Sequence, residues 1–331
     1  MGRLSFLGML LRPYEKPFLP VPQQIEQLRA RGLEIGDAVK AARYLEQIGY
    51  YRFSGYFYPM RASKIVIGSD GRPTSKIEDA FRQGAAFEAV LGLYVFDRKL
   101  RVVMLDVLER IEVLLRTQVA LQLGQYSRWA HREPRWLAKR YLEANTDGRS
   151  QYEKFIDKLN AAESRSKEDF VKHFNQEYSD PIPIWATVEL WDFGMLSSFV
   201  SGLKGRDANA IAENLNIPSD AHLRNWVWVL SFIRNICAHH ARLWNRTLVP
   251  QPKLPKEGQV PSMDHLIGDE LAKGRFYSAA TITRHIQRQI NPSSNWHKRF
   301  KEAVSSFPSG SGIAIGQAGF PDDWANLDIW N

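Results

Sequence analysis

Residues 225–246, NWVWVLSFIRNICAHHARLWNR, bring a histidine pair, an asparagine beside an arginine, and two further arginines into a few turns of chain. An imidazole, with an unperturbed pKa of about 6.5, takes or gives a proton at neutral pH. A guanidinium holds two phosphate oxygens at once. Against RNA these two types suffice, because the substrate carries its own nucleophile. The ribose 2′-hydroxyl attacks the adjacent phosphate once a base takes its proton and a cation steadies the added negative charge. The expected products are a 2′,3′-cyclic phosphate and a 5′-hydroxyl, and the route calls for no metal or other cofactor. One histidine does not readily act as base and acid in the same step. A second copy of the motif from a two-fold partner completes the chemistry, so a homodimer is expected.

Placed on a helix at about 100° per residue with Arg234 at zero, Trp226, Val229, Leu230, Ile233, Ile236, Cys237 and Trp244 fall between about 200° and 320°. That arc is the core face. Arg224, Asn235, His239, Arg242 and Arg246 fall between about 80° and 140°, provided the helix runs that far. On this reading Arg234 and His239 are catalytic, while Arg224, Arg242 and Arg246 contact RNA. His240 lands near about 240°, on the apolar arc, and is expected to be a packing histidine. A lone histidine more often plays such a structural part; the arginines beside His239 favour chemistry there. Trp228 and Phe232, at about 120° and 160°, interrupt the polar stripe. They line a dimer interface or stack on bases, the interface being the commoner role.

The elements that must position this string are helical. The longest pattern runs from Leu93 to Leu123, where Leu93, Phe96, Leu100, Val103, Val107, Ile111 and Leu114 recur every three or four residues. Asp97 with Arg101, Asp106 with Arg110, and Glu112 with Arg116 stand one turn apart on it and are expected, for the most part, on a solvated charged face. Further helices are expected at 21–31, 37–48, 151–163, 167–178, 184–203, 207–214 and 221–244. The aromatic run YYRFSGYFYPMR reads as a packed turn belonging to the core. Beyond Pro250, prolines and glycines predict loops with one helix near 278–290. The division this implies is an N-terminal extension (1–15), a helical domain (16–249) and a C-terminal extension (250–331).

With 331 residues, 44% of them apolar, the chain can fill a sizeable core. No internal repeat or Gly/Ser linker separates it, so one helical body is the simplest expectation. Its single cysteine excludes an internal disulfide and fits a reducing compartment, the cytoplasm. No Cys/His spacing suggests a zinc site. The opening MGRLSFLGMLLRP is too short to span a bilayer and is followed by charged helical sequence, so a mobile or packed terminus is expected rather than a signal peptide, and no membrane partner. Lys and Arg exceed Asp and Glu by 44 to 36, and the net charge of +8 draws polyanions without identifying them.

The string Arg234, Asn235, Ile236, Cys237, Ala238, His239 resembles the R-x4-H motif of HEPN ribonucleases, in the form with a polar residue directly after the arginine. Its surroundings resemble the abortive-infection Abi family of the AbiD/AbiF type. The pieces that carry the likeness are KPFLPVPQQIEQLRARGLEI, YLEQIGYYRFSGYFYPMR, LYVFDRKLRVVMLDVLERIEVLLRTQ, PIPIWATVELWDFGMLSSF and SFIRNICAHHARLWNR, from Lys16 to Arg246. The resemblance implies an all-α fold: a HEPN-like helical bundle with additional N-terminal helices and an irregular C-terminal segment. It also implies a bacterial phage-defence or toxin–antitoxin setting, in which a small RNA or protein antitoxin is a possible partner. By motif match, Arg234 and His239 inherit catalytic roles, and Asn235 joins them as the residue that orients the histidine. The alternative is a module that binds RNA or a protein through the same stripe without cutting, or uses it purely as a dimer contact.

Overall fold

The computed structural model describes residues 13–68 and 71–331; the opening MGRLSFLGMLLR lies outside them. The protein is mostly α-helical, with a single two-stranded sheet among the described residues. Where one helical body was expected, there are two compact units: residues up to Leu91 with Gly310–Gly312, and Gly92–Ser309 with Ile313–Asn331.

The first unit holds α1 (Val21–Ala30), α2 (Ala38–Ile48) and α3 (Tyr50–Phe57), then an antiparallel hairpin of β1 (Arg61–Ile67) and β2 (Pro73–Phe81). The aromatic run is packed as expected, but as helix α3: Phe53, Tyr56 and Phe57 are buried, and Phe53 and Phe57 meet Phe87. The hairpin was not foreseen. Its strands are largely exposed, Ile65 and Ile67 included, so no apolar alternation announces them.

Helix α4 spans Phe87–Gly124. It starts earlier than its periodicity predicted. Next come α5 (Lys139–Leu142), α6 (Gln151–Arg165), α7 (Asp169–Glu177), α8 (Ile184–Thr187), α9 (Phe193–Gly202), α10 (Gly205–Asn214) and α11 (Asp220–Ala238). The helix expected over 184–203 is two, because Asp192 accepts the backbone N–H of Met195 and caps a new start for α9. α11 packs against α9 and α10 and, further along the chain, against α13.

The C-terminal segment is less irregular than its prolines suggested. It forms α12 (Glu270–Lys273), α13 (Phe276–Ile290) and α14 (Trp296–Ser305). α13 is buried over almost its whole length, and the Trp296 indole N–H donates to the carbonyl of Val103 on α4 at 2.8 Å.

Between α4 and α6, His131 is buried with neither ring nitrogen hydrogen-bonded, near Trp191. Burial, with Arg132 adding to it, pushes its pKa down to about 3. The unfolded chain therefore binds a proton here at a pH where the folded chain does not. Stability from this group is complete above about 6.5 and is lost as pH falls toward about 3, by up to about 5 kcal/mol. Urea titrations over that window should show His131→Phe with a flatter acid limb than the wild type; an unchanged slope would contradict this.

Candidate active site

α11 is built to end at the motif. Ser219 caps its start, its hydroxyl accepting from the His222 N–H, and Leu223, Trp226, Leu230, Ile233 and Cys237 bury one face. Burial pushes the Cys237 thiol up to about 12, which leaves it a packing group rather than a nucleophile. The helix stops at Ala238, six residues before the expected end at Trp244. His239 is the C-cap, and His240 takes the left-handed conformation at φ 55°. The N–H of His240 donates to the carbonyl of Cys237 at 3.2 Å and that of Ala241 to Ile236 at 3.0 Å, the paired bonds of a Schellman stop.

That stop corrects the placement of two groups of residues. His240 is exposed rather than in the core, because it is no longer on a helical wheel. Arg242 and Arg246 likewise do not continue a helical stripe. Arg246 nonetheless returns to α11, its guanidinium 5.7 Å from the centre of the Phe232 ring, and is exposed; Arg242 is half-buried. His239 is exposed at the helix end, and exposed Trp228, half-buried Phe232 and Asn235 lead to it at steps of three or four residues.

The chain after the stop is held by α4. Asp97, fully buried, accepts the backbone N–H of Trp244 at 2.8 Å and of Leu243 at 3.1 Å through Oδ1. Its other oxygen pairs with Arg101, whose guanidinium also donates to the carbonyl of Ala241 at 3.3 Å. About one turn before the stop, Arg234 meets the same helix. Its Nε lies 3.6 Å from Glu112 Oε2, and its Nη1 donates to Asn235 Oδ1 at 3.3 Å. Glu112 Oε1 accepts from Arg116 at 2.6 Å, and Arg116 also donates to the Trp191 carbonyl and lies 3.7 Å from Glu189. Burial pushes the Glu112 pKa up; Arg116 and Arg234 pull it down, and Asp192 adds to the rise.

Of the three pairs expected on a solvated face, only Asp106 with Arg110 is there. The other two face inward. A wheel of α4 carried the signal: with Ile111 at zero, Asp97 falls near about 40°, between Met104 and Leu108, and Glu112 near about 100°, at the edge of the apolar arc. A charge inside an apolar arc calls for a partner from elsewhere in the fold.

Arg224 is placed differently from the other candidates. Its guanidinium donates to the carbonyls of Val200, Ser201 and Leu203 at 2.7, 2.8 and 2.9 Å, closing the C-terminus of α9, and it is paired with Asp220. It is a helix-end clamp, which leaves no free donor edge obvious for a strand.

Residues 43–245 match the family model described as Abi-like protein (Abi_2), and the chain belongs to that family. The family's setting is abortive infection, a form of phage defence. No curated protein and no solved structure matches the chain. The matched span takes in Asp97, Glu112 and the whole R-x4-H string, and excludes the stretch from Lys16 to Ile35 and the chain beyond 245.

Two outcomes follow from this geometry. Asp97→Ala leaves two buried N–H groups and Arg101 without their acceptor and should cost about 3 kcal/mol or more in urea unfolding; a loss below about 1 kcal/mol would contradict the anchoring role. His240 takes φ 55°, so His240→Gly should be more stable than His240→Ala by about 1 kcal/mol, since both lose the imidazole and only glycine adopts that backbone without a steric cost; equal stability of the two variants would contradict the left-handed stop.

Proposed function

We propose that the protein is a metal-independent endoribonuclease of the HEPN type acting in phage defence. His239 moves the proton of the ribose 2′-hydroxyl, Arg234 holds the scissile phosphate, and Asn235 fixes the guanidinium or the imidazole beside it. The 2′-oxygen bonds to phosphorus, the bond to the 5′-oxygen breaks, and the leaving oxygen takes a proton to give a 5′-hydroxyl and a 2′,3′-cyclic phosphate. Arg246 and Arg242 guide the strand; Arg224, committed to the end of α9, is left out of that role.

The observation that carries this reading is the helix stop. It sets His239 in solvent one turn past an arginine whose guanidinium is tied to a buried carboxylate. A packing histidine would need no such exposure, and a merely solvated arginine no such anchor. A two-fold partner would supply the second imidazole that the proton balance asks for. In a toxin–antitoxin setting, a small RNA or a protein would keep the site silent. Among the described residues no helix is long and apolar enough to cross a membrane.

The purified protein incubated with total cellular RNA in EDTA should cleave it, and Arg234→Ala and His239→Ala should each lower the rate by about 100-fold or more. Both variants should fold within about 1 kcal/mol of the wild type, as replacements at partly exposed positions do. Cleavage that survives both changes overturns the assignment. RNA binding without cleavage in the wild type would instead favour the silent binding module.

A further inference from the structure

Glu112 is far in sequence from the R-x4-H string, yet its carboxylate stands between two guanidiniums, Arg116 at 2.6 Å and Arg234 at 3.6 Å. Its side chain is only 8% exposed. Nε is the root of the Arg234 guanidinium, so an anion held there fixes the plane of the group. Nη1 is turned to Asn235, and Nη2 has no hydrogen-bond partner among the described residues. The anchor is itself anchored, since Arg116 is bound to the Trp191 carbonyl and paired with Glu189 at the turn between α8 and α9. A line of contacts thus runs from that turn through Arg116 and Glu112 to Arg234. Burial disfavours the ionised carboxylate, so its charge is not there for stability alone.

We propose, resting on the ribonuclease reading above, that Glu112 is a positioning residue. With Arg116 behind it, it fixes the Arg234 guanidinium so that the Nη2 edge meets a non-bridging oxygen of the scissile phosphate. A misplaced guanidinium still attracts RNA but no longer meets the charge that develops as the bond breaks. The signature is a fall in kcat with KM preserved.

The test compares Glu112→Gln and Glu112→Asp in the full chain with Glu109→Gln, an exposed position on the same helix. Labelling with phenylglyoxal, mapped by peptide mass spectrometry, reports how firmly Arg234 is held and requires no catalytic activity. Glu112→Gln should keep or raise the melting temperature and increase labelling of Arg234 relative to Arg246 severalfold. On single-stranded RNA it should lower kcat by about 10- to 100-fold with KM within about twofold. Glu112→Asp should recover part of both effects, and Glu109→Gln should show neither. Unchanged Arg234 labelling in Glu112→Gln overturns the positioning role, as does a fall in kcat that merely follows lost folded protein. If Arg234→Ala retains full cleavage, the ribonuclease reading fails separately, and the labelling still decides whether Glu112 holds Arg234.

Discussion

A buried carboxylate receiving two backbone N–H groups governs this site. Asp97 holds Leu243 and Trp244 against α4, and Arg101 beside it holds the carbonyl of Ala241. Charge-assisted bonds of this kind are about twice as strong as neutral ones, and removing one partner leaves the others desolvated and unpaired. The chain that leaves α11 is thereby forced to turn back within a few residues. That forced turn gives the Schellman stop its partner on the far side, fixes His239 as the last residue before it, and brings Arg246 back over Phe232. α4 then supplies the second contact, Glu112, to the arginine of the same motif. One helix therefore organises both ends of the R-x4-H string.

Stability and function pull in different directions at these contacts. Asp97 and Arg101 are fully committed to each other and to backbone groups, which is how a buried charge is accommodated. Glu112 is less completely compensated, as the upward push on its pKa reports. Sites that do chemistry are where such imperfect compensation collects, because a group held for a ligand is left partly unsatisfied without it. The exposed His239 and the open edge of Arg234 fit that pattern; Arg224, with three carbonyls and an aspartate around it, does not.

Much of this was readable from the residues, for reasons that also explain the rest. The helices with long apolar repeats, α4 and α11 above all, declare themselves because burial on one face imposes a period of about 3.6. The end of α11 did not, since the stop uses histidine rather than glycine in the left-handed position, and Leu243 and Trp244 keep the apolar rhythm going past it. The arginine, asparagine and histidine of the string were singled out by type, spacing and resemblance, and their chemical role stands as the proposal made above. Glu112, Arg116 and Asp97 were assigned to solvent because charges one turn apart usually pair on a surface. Their position inside the apolar arc of α4 was the overlooked signal. The hairpin of β1 and β2 left no comparable trace, its strands being exposed on most positions.

The central claim is that one imidazole and one guanidinium, set at the end of a single helix, break RNA by using the substrate's own 2′-hydroxyl. End-group analysis on a defined single-stranded RNA and its fully 2′-O-methylated counterpart tests this most directly. The account predicts 2′,3′-cyclic phosphate and 5′-hydroxyl ends from the first and no cleavage of the second. Cleavage of the methylated strand, or 3′-hydroxyl with 5′-phosphate ends on either, would contradict it.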